Sequence, residues 1–254
     1  MTEICIYAQV HQPFRLCQYR LFDIGTGAEY FDETTNRRIL RRVADKCYLP
    51  ANRPLAQLIL RTGGDFKVAL SLSGALLDQL AEWALDVLES FQELVGTGGV
   101  ELLGETYWHS LASLASEEKF LAQVDRHRNT IHRWFGQRPS VFRNTELIYW
   151  DGLAPLVDRL GFRGIMVEGA DHVLGWRSSN CVYQAASSPG LRLLPRNYRL
   201  SDDVGFRFSN RDWEAWPLTA DKYADSMCTK CLPMGTCTSI SALTIRPTTR
   251  LLRS

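Results

Sequence analysis

The stretch Phe142-Arg143-Asn144-Thr145-Glu146-Leu147-Ile148-Tyr149-Trp150 puts a carboxylate at the end of a short apolar run and flanks it with aromatic rings. A carboxylate so placed can act as a nucleophile or exchange a proton, and in barrels of parallel strands the chemistry sits at strand ends of this kind. Two further stretches share the pattern: His11-Gln12-Pro13 follows the apolar run Ile4 to Val10, and Gly104-Glu105-Thr106-Tyr107-Trp108-His109 follows Val100 to Leu103. On spacing alone, a loop glutamate or a cap for the helix around Leu153 is the simpler reading of Glu146, and His11 is more often a hydrogen-bonded structural residue. Three such stretches in one chain are more specific than any one alone. Pro13 restricts Gln12 to extended backbone and so ends its strand cleanly. Glu105 and His109 stand four apart, but so close to the strand end that a shared helical face does not follow.

Elements must deliver these residues, and the chain alternates between two periods. Ile4 to Val10 reads as a first strand, and helical patterns follow through Ile39, Val43 and Cys47 and through Leu55, Leu58 and Leu60, stopped by Gly63-Gly64. Phe66 to Leu72 is a second strand, Ala75 to Leu94 one long helix ending at Gly96, and Val100 to Leu103 a short buried strand. Ser116 is an N-cap, with Glu117 and Glu118 in the first turn, for a helix running to Phe135 and Gly136. Val141-Phe142 is the next strand; Leu153 to Leu160 is a helix closed by Gly161; and Gly164 to Val167 is a strand that delivers Glu168, Asp171 and His172. Strands separated by helices of this length predict parallel βα units. No glycine-rich phosphate loop follows the first strand, and polar groups follow several different strands, which favours a closed barrel over an open doubly wound sheet.

Of the 254 residues, 45% are hydrophobic and 22% charged, enough for one large domain with a substantial core. A formal net charge of +1 and the lack of a Lys/Arg stripe argue against a nucleic-acid partner. No apolar run is long enough to cross a bilayer, and Met1-Thr2-Glu3 leads straight into a strand, so the expectation is a soluble, cytoplasmic protein without a membrane partner. Cys5, Cys17, Cys47 and Cys181 are scattered and read as reduced and structural.

The composition changes near Cys228. Residues 228–254 hold no acidic residue, six threonines, three cysteines and four of the 29 basic residues, leaving 25 basic against 28 acidic residues, a formal charge of −3, in residues 1–227. No helical or strand period is visible there, and a break inside a helix start (Thr219 to Asp225) points to a reading-frame change, with a disordered functional tail as the alternative. Cys228, Cys231 and Cys237 lack a fourth zinc ligand at any usual spacing.

With the residues set out, His11-Gln12-Pro13, Glu101 to Leu111 and Phe142 to Leu147 resemble the first three signature regions of glycoside hydrolase family 57, and Glu168 to Arg177 and Trp216 to Tyr223 are similar to its α-amylase-type members. The likeness is continuous to about Asp225. It implies a seven-stranded (β/α) barrel that cleaves or transfers α-glucan chains with retention of configuration and needs no metal or other cofactor. The expected organisation is a partial catalytic barrel over residues 1–227, incomplete at its C-terminal end, and a non-homologous, disordered tail over residues 228–254. The expected partner is an α-glucan oligo- or polysaccharide.

Retaining hydrolysis uses an ionised carboxylate that attacks the anomeric carbon and a second that protonates the leaving oxygen about 5–5.5 Å away. The resemblance makes Glu146 the nucleophile, with Arg143 or Asn144 able to keep it ionised. It also makes His11, Gln12, Glu105, Trp108, His109, Arg143, Asp171, His172, Trp176 and Trp216 substrate contacts. Tyr107, Tyr149, Trp150 and Trp213 also lie in or beside strand-end loops, where flat rings can cover pyranose faces. Trp83 and Trp134, inside amphipathic helices, are core residues, and His127 and His132 are packed or solvated helix side chains.

The family's proton-donor aspartate lies on a strand after the helix that begins here near Thr219. Nothing beyond Asp225 matches that region, so the resemblance also implies little or no turnover by this chain, together with poor stability from exposed barrel edges unless the tail covers them. Alternatives are a 4-α-glucanotransferase of the same family, a non-catalytic carbohydrate-binding remnant, or a metal-dependent deacetylase on a related barrel. The close pairing of ligands that the last requires is absent from the sequence.

Overall fold

The computed structural model describes residues 3–231 and 238–244. Its strands are β1 (Glu3–Val10), β2 (Val68–Leu72), β3 (Val100–Leu102), β4 (Val141–Arg143), β5 (Gly164–Glu168), β6 (Tyr183–Ala185), β7 (Ser188–Arg196) and β8 (Thr238–Thr244). Helices connect them: α1 (Glu33–Val43) and α2 (Leu49–Arg61) precede β2, α3 (Gly74–Trp83) and α4 (Leu85–Gly96) precede β3, and α5 (Ala112–Ala115) and α6 (Glu117–Phe135) precede β4. Then α7 (Ala154–Arg159) leads to β5, α8 (Asp171–Leu174) to the hairpin of β6 and β7, and α9 (Tyr198–Asp202) and α10 (Ala220–Cys231) come before β8.

The strands form two four-stranded sheets, ordered β3-β2-β1-β8 and β4-β5-β7-β6, in which every pairing is parallel except that of β6 with β7. Gly104 joins them: its N–H donates to Val141 O at 2.9 Å and its carbonyl accepts from Arg143 N–H at 2.7 Å, making a parallel bridge to Phe142. A glycine is required there because a Cβ would come within 2.6 Å of the Phe162 ring. On the other side β7 and β8 approach one another without a ladder among the described residues. The result is a partial (β/α) barrel, as the alternation of periods predicts.

Apolar residues sort into three layers. Between β1 to β3 and the helices α1 to α4 lies a cluster that includes Leu40, Leu70, Leu72, Leu76, Leu80, Leu88 and Phe91. A second cluster packs Phe120 and Val124 of α6 and Val157 of α7 against Phe142 and Ile165. The third, Tyr7, Ala69, Leu103, Leu147 and Met166, draws one buried residue from each of several strand regions and fills the inside of the barrel. All five residues of β2 are buried, as expected of a parallel strand covered on both faces.

Local signals explain most boundaries. The Ser116 side chain accepts from Lys119 N–H at 3.3 Å to start α6, and Gly136, at φ 69°, ends it in the left-handed region. Gly161, at φ 81°, closes the turn after α7 in the same way. The long helix expected over Ala75–Leu94 is two helices, broken at Ala84 (φ −154°, ψ 60°), because that extended residue lets both segments bury apolar faces against the same sheet. The expectation of no regular period past residue 228 is also corrected. Helix α10 continues to Cys231, and β8 pairs along β1 from Glu3↔Thr238 to Gln9↔Thr244, satisfying backbone groups that would otherwise form an open edge. The rest of the expected disordered tail lies outside the described residues.

Candidate active site

The strand ends bring the three signature stretches together. His11 is the first residue past β1, and its Nδ1 lies 2.7 Å from Oγ of Ser73, the first residue past β2. Ser73 also caps α3 by accepting from Leu76 N–H at 3.3 Å, so the partner of His11 is fixed by a helix start. Glu105 follows the Gly104 bridge, and His109 closes the next turn at φ 52°. Glu146 sits in a single turn of 3-10 helix, Thr145–Leu147, directly after β4, at φ 52° and ψ 23°.

A non-glycine residue in the left-handed region is strained, by about 1–3 kcal/mol, and persists only where its surroundings fix it. Here His109, Glu146 and Leu147 all adopt positive φ. Leu147 is anchored in the barrel interior. Asn144 Nδ2 donates to Ser113 Oγ at 3.0 Å and to Ile148 O at 2.9 Å, and Thr145 Oγ donates to Ser110 O at 2.7 Å while lying 3.1 Å from Thr106 Oγ. The loops after β3 and β4 are thereby tied together, and the strain is held where His109 meets Glu146.

That meeting is the centre of the site. His109 Nδ1 lies 3.3 Å from Glu105 Oε2, and its Nε2 lies 3.4 Å from Glu146 Oε1. The Glu105 side chain is 0% exposed, whereas that of Glu146 is 52% exposed. Arg143 is buried beside them. Burial pushes the Glu105 carboxyl upward, but the hydrogen bond from His109, followed by the charges of His127, His109 and Arg143, outweighs it and holds the group below the usual carboxylate range. On α6, His127 Nδ1 accepts from Glu105 N–H at 3.4 Å and its Nε2 donates to Leu72 O at 2.8 Å; burial lowers its pKa against the charge of Glu105. Burial pushes the Tyr7 hydroxyl up to about 12 against the charge of Arg143.

His11 is lowered to about 4 by burial first and by the charge of His109 second. Its folded-state pKa lies below the unfolded value, so between pH 6.5 and about 4 the unfolded chain binds the extra proton and stability falls as pH falls. Urea unfolding should therefore show a loss on the order of 1–3 kcal/mol between pH 7 and pH 4.5 from this group, and His11→Asn should flatten that part of the curve. An unchanged slope in the variant would show that His11 is not the group responsible.

The other candidates are distributed differently. Gln12 is buried, donates to Tyr48 OH at 3.3 Å and accepts from Arg15 at 3.2 Å, so its side chain braces the loop after β1. Glu105, expected among the sugar contacts, is enclosed and meets His109 instead. Asp171 on α8 accepts from Tyr198 OH at 2.7 Å and pairs with Arg199 at 3.4 Å, and His172 beside it is exposed. Trp108, Trp176 and Trp216 are 42%, 95% and 44% exposed; Arg126 lies over the Trp108 ring at 5.0 Å and Arg211 over the Trp216 ring at 6.0 Å. Trp83 and Trp134 pack against the first core cluster, as expected. Gln9 and Ser73 were not singled out from sequence, the signal for the first being a glutamine inside an otherwise apolar strand; His127, read there as a packed or solvated helix side chain, is packed.

A barrel of parallel strands whose strand-end loops gather carboxylates and histidines defines a (β/α)-barrel protein with a carboxylate-centred site. The family described as Glycosyl hydrolase family 57 matches residues 5–231, and the chain belongs to it. A Methanocaldococcus jannaschii protein carried under the provisional name alpha-amylase is 47% identical over 218 residues, covering 85% of this chain and 46% of that protein. Among solved structures, 4-alpha-glucanotransferase from Thermococcus litoralis matches with a TM-score of 0.68 at 15% identity, over 96% of this chain and 33% of that one. The alpha-amylase AmyC from Thermotoga maritima matches at 0.60 and 15% identity, over 80% of this chain and 47% of that one. The chain thus spans half or less of the length of these relatives. Among the described residues no helix is long and apolar enough to cross a membrane, and no group of three or more His, Cys, Asp or Glu residues is placed to hold a metal ion.

Proposed function

We propose that this chain carries the nucleophile half of a retaining, α-glucan-active site, with Glu146 as the nucleophile. The observation that carries the reading is the geometry of Glu146: a half-exposed carboxylate fixed in a strained turn at a strand end, with His109 Nε2 3.4 Å away. In the proposed reaction a Glu146 oxygen bonds to the anomeric carbon as the bond from that carbon to the leaving oxygen breaks, and the leaving oxygen takes a proton from an acid. Water or a sugar hydroxyl then attacks the same carbon, frees Glu146 and returns its proton to the conjugate base. The first outcome is hydrolysis and the second 4-α-glucanotransfer; both retain configuration. Exposed Trp108, Trp176 and Trp216, with His11, are the proposed sugar contacts.

The acid is the weak point. Strand β8 follows the helix that starts at Ala220, and neither it nor any other residue of 228–254 is Asp or Glu. General acid assistance is worth about 10²–10⁴-fold in rate, so starch and maltooligosaccharides should be turned over slowly by residues 1–254. Fluoride leaves without a proton. With α-maltosyl fluoride and a maltooligosaccharide acceptor, the account expects glycosyl transfer or hydrolysis with an α product first formed, far faster than on starch. A β product first formed, or equal rates on both substrates, would overturn it. A second reading, glucan binding without catalysis, would be supported by unchanged maltooligosaccharide affinity in Glu146→Gln and no reaction with the fluoride.

A further inference from the structure

His109 is the joint between two carboxylates of opposite accessibility. An ionised carboxylate accepts hydrogen bonds and donates none, so contacts to Glu105 at 3.3 Å and Glu146 at 3.4 Å are both hydrogen bonds only if both ring nitrogens carry hydrogen. The Gln9 amide nitrogen lies 2.9 and 3.1 Å from the same two ring nitrogens and can only donate, so a ring protonated at both requires the Gln9 amide to be turned with its oxygen toward the ring. The His11 ring packs against the same imidazole, with centroids 4.6 Å apart and planes inclined by 39°.

Glu105 has no exposed side-chain surface, and its Oε1 has no hydrogen-bond partner. A sugar cannot reach it in this conformation. A buried carboxylate is costly unless positive charge balances it, and the groups that act so on this one are His109, His127 and Arg143. Gln9 and His11 from the end of β1, Ser73 after β2 and His127 from α6 also face the cluster, and Tyr7, Arg196 and Glu168 adjoin it on the Arg143 side. Glu146 is the solvent-facing carboxylate of this cluster and Glu105 the enclosed one.

We propose that Glu105 and His109 are positioning residues: Glu105 is the internal counterion that keeps His109 protonated at both nitrogens, and His109 holds the Glu146 carboxylate ionised and aimed. The proposal rests on the reading of Glu146 as nucleophile, and its role for Glu105 replaces the direct sugar contact expected from the resemblance.

The test titrates Glu146 itself in the full chain labelled with carboxyl-¹³C glutamate, its signal assigned by disappearance in Glu146→Gln. Glu105→Gln removes the charge at nearly constant volume and should raise the Glu146 midpoint by about one pH unit or more; the His109 ¹⁵N signals should change from those of a doubly protonated ring to those of a neutral one. His109→Gln should raise the midpoint by a similar amount, and the double variant should add little to either. Should Glu105→Gln fail to fold, His109→Gln decides alone, with Glu105→Asp expected to restore the wild-type midpoint. An unchanged Glu146 midpoint in His109→Gln, or in a folded Glu105→Gln, would overturn the proposal. With α-maltosyl fluoride the acid limb of kcat/KM should move with the midpoint while KM changes less than about threefold; a raised KM with an unmoved limb would mark Glu105 as a sugar contact and also overturn it. Because the titration needs no turnover, a shifted midpoint in a protein inert to the fluoride would refute the nucleophile reading and leave the coupling intact.

Discussion

Glu146→Gln should lower the rate on α-maltosyl fluoride by at least about 10³-fold, a barrier increase on the order of 4 kcal/mol, with little change in folding. The size follows from the role, since a neutral amide cannot form the glycosyl ester through which retention proceeds. Folding should be spared because the side chain is half exposed and the amide has the same shape. Glu146→Gly sharpens the expectation. At φ 52° glycine sits without the strain that glutamate bears there, so this variant should melt at or above the wild-type temperature while being as inactive as Glu146→Gln. Azide, admitted to the space left by the side chain, should restore reaction with the fluoride and yield the β-glycosyl azide, because a single displacement then replaces two. Activity retained in Glu146→Gln would remove the residue from the chemistry.

Phe142→Ala should destabilise the fold by about 3–5 kcal/mol, a large share of the roughly 5–15 kcal/mol that separates a domain from its unfolded chain. Phe142 is fully buried and sits between Phe120, with centroids 5.7 Å apart and rings near perpendicular, and Phe162 at 5.2 Å. These side chains come from α6, β4 and the turn before β5, which cannot close over the lost ring without moving a strand. Phe142 also makes the bridge to Gly104 that joins the two sheets. The loss should therefore reach the loops carrying Glu105 and Glu146. Urea unfolding should show a lower midpoint at an unchanged slope, and a cost under about 1 kcal/mol would mean that the second core cluster is not closely packed.

The parts of this architecture readable from sequence are those written in local chemistry. Ser116 and Gly136 mark the ends of α6 because a cap and a left-handed residue are needed there whatever the surroundings. The apolar runs before His11, Glu105 and Glu146 identify strands because parallel strands are buried on both faces. What escaped depends on tertiary contacts. The break at Ala84 lies inside an apolar pattern that continues on both sides, so its period gives no warning. In β7, Pro189, Gly190 and Pro195 read as turn residues, yet they sit in a strand that pairs antiparallel with β6 and parallel with β5. Strand β8 is rich in Ser and Thr and lacks a clean alternation; it is defined by its pairing with β1.

The site divides along the same line. Glu146 and His11 were legible as polar residues at strand ends. That Glu105 and His109 would meet was not, because positive φ at His109, and not a helical turn, brings position 109 back to both carboxylates. Gln12, the neighbour of His11 in the first signature stretch, has its side chain bonded to Tyr48 and Arg15.

The most direct measurement is covalent trapping. Residues 1–254 are incubated with 5-fluoro-α-glucosyl fluoride, or with a maltosyl donor blocked likewise, in which attack by the enzyme carboxylate outpaces release, and the protein is digested and sequenced by mass spectrometry. The account predicts one sugar ester, on the peptide carrying Glu146, and none in Glu146→Gln. Labelling at another carboxylate, or undiminished labelling of the variant, would contradict it.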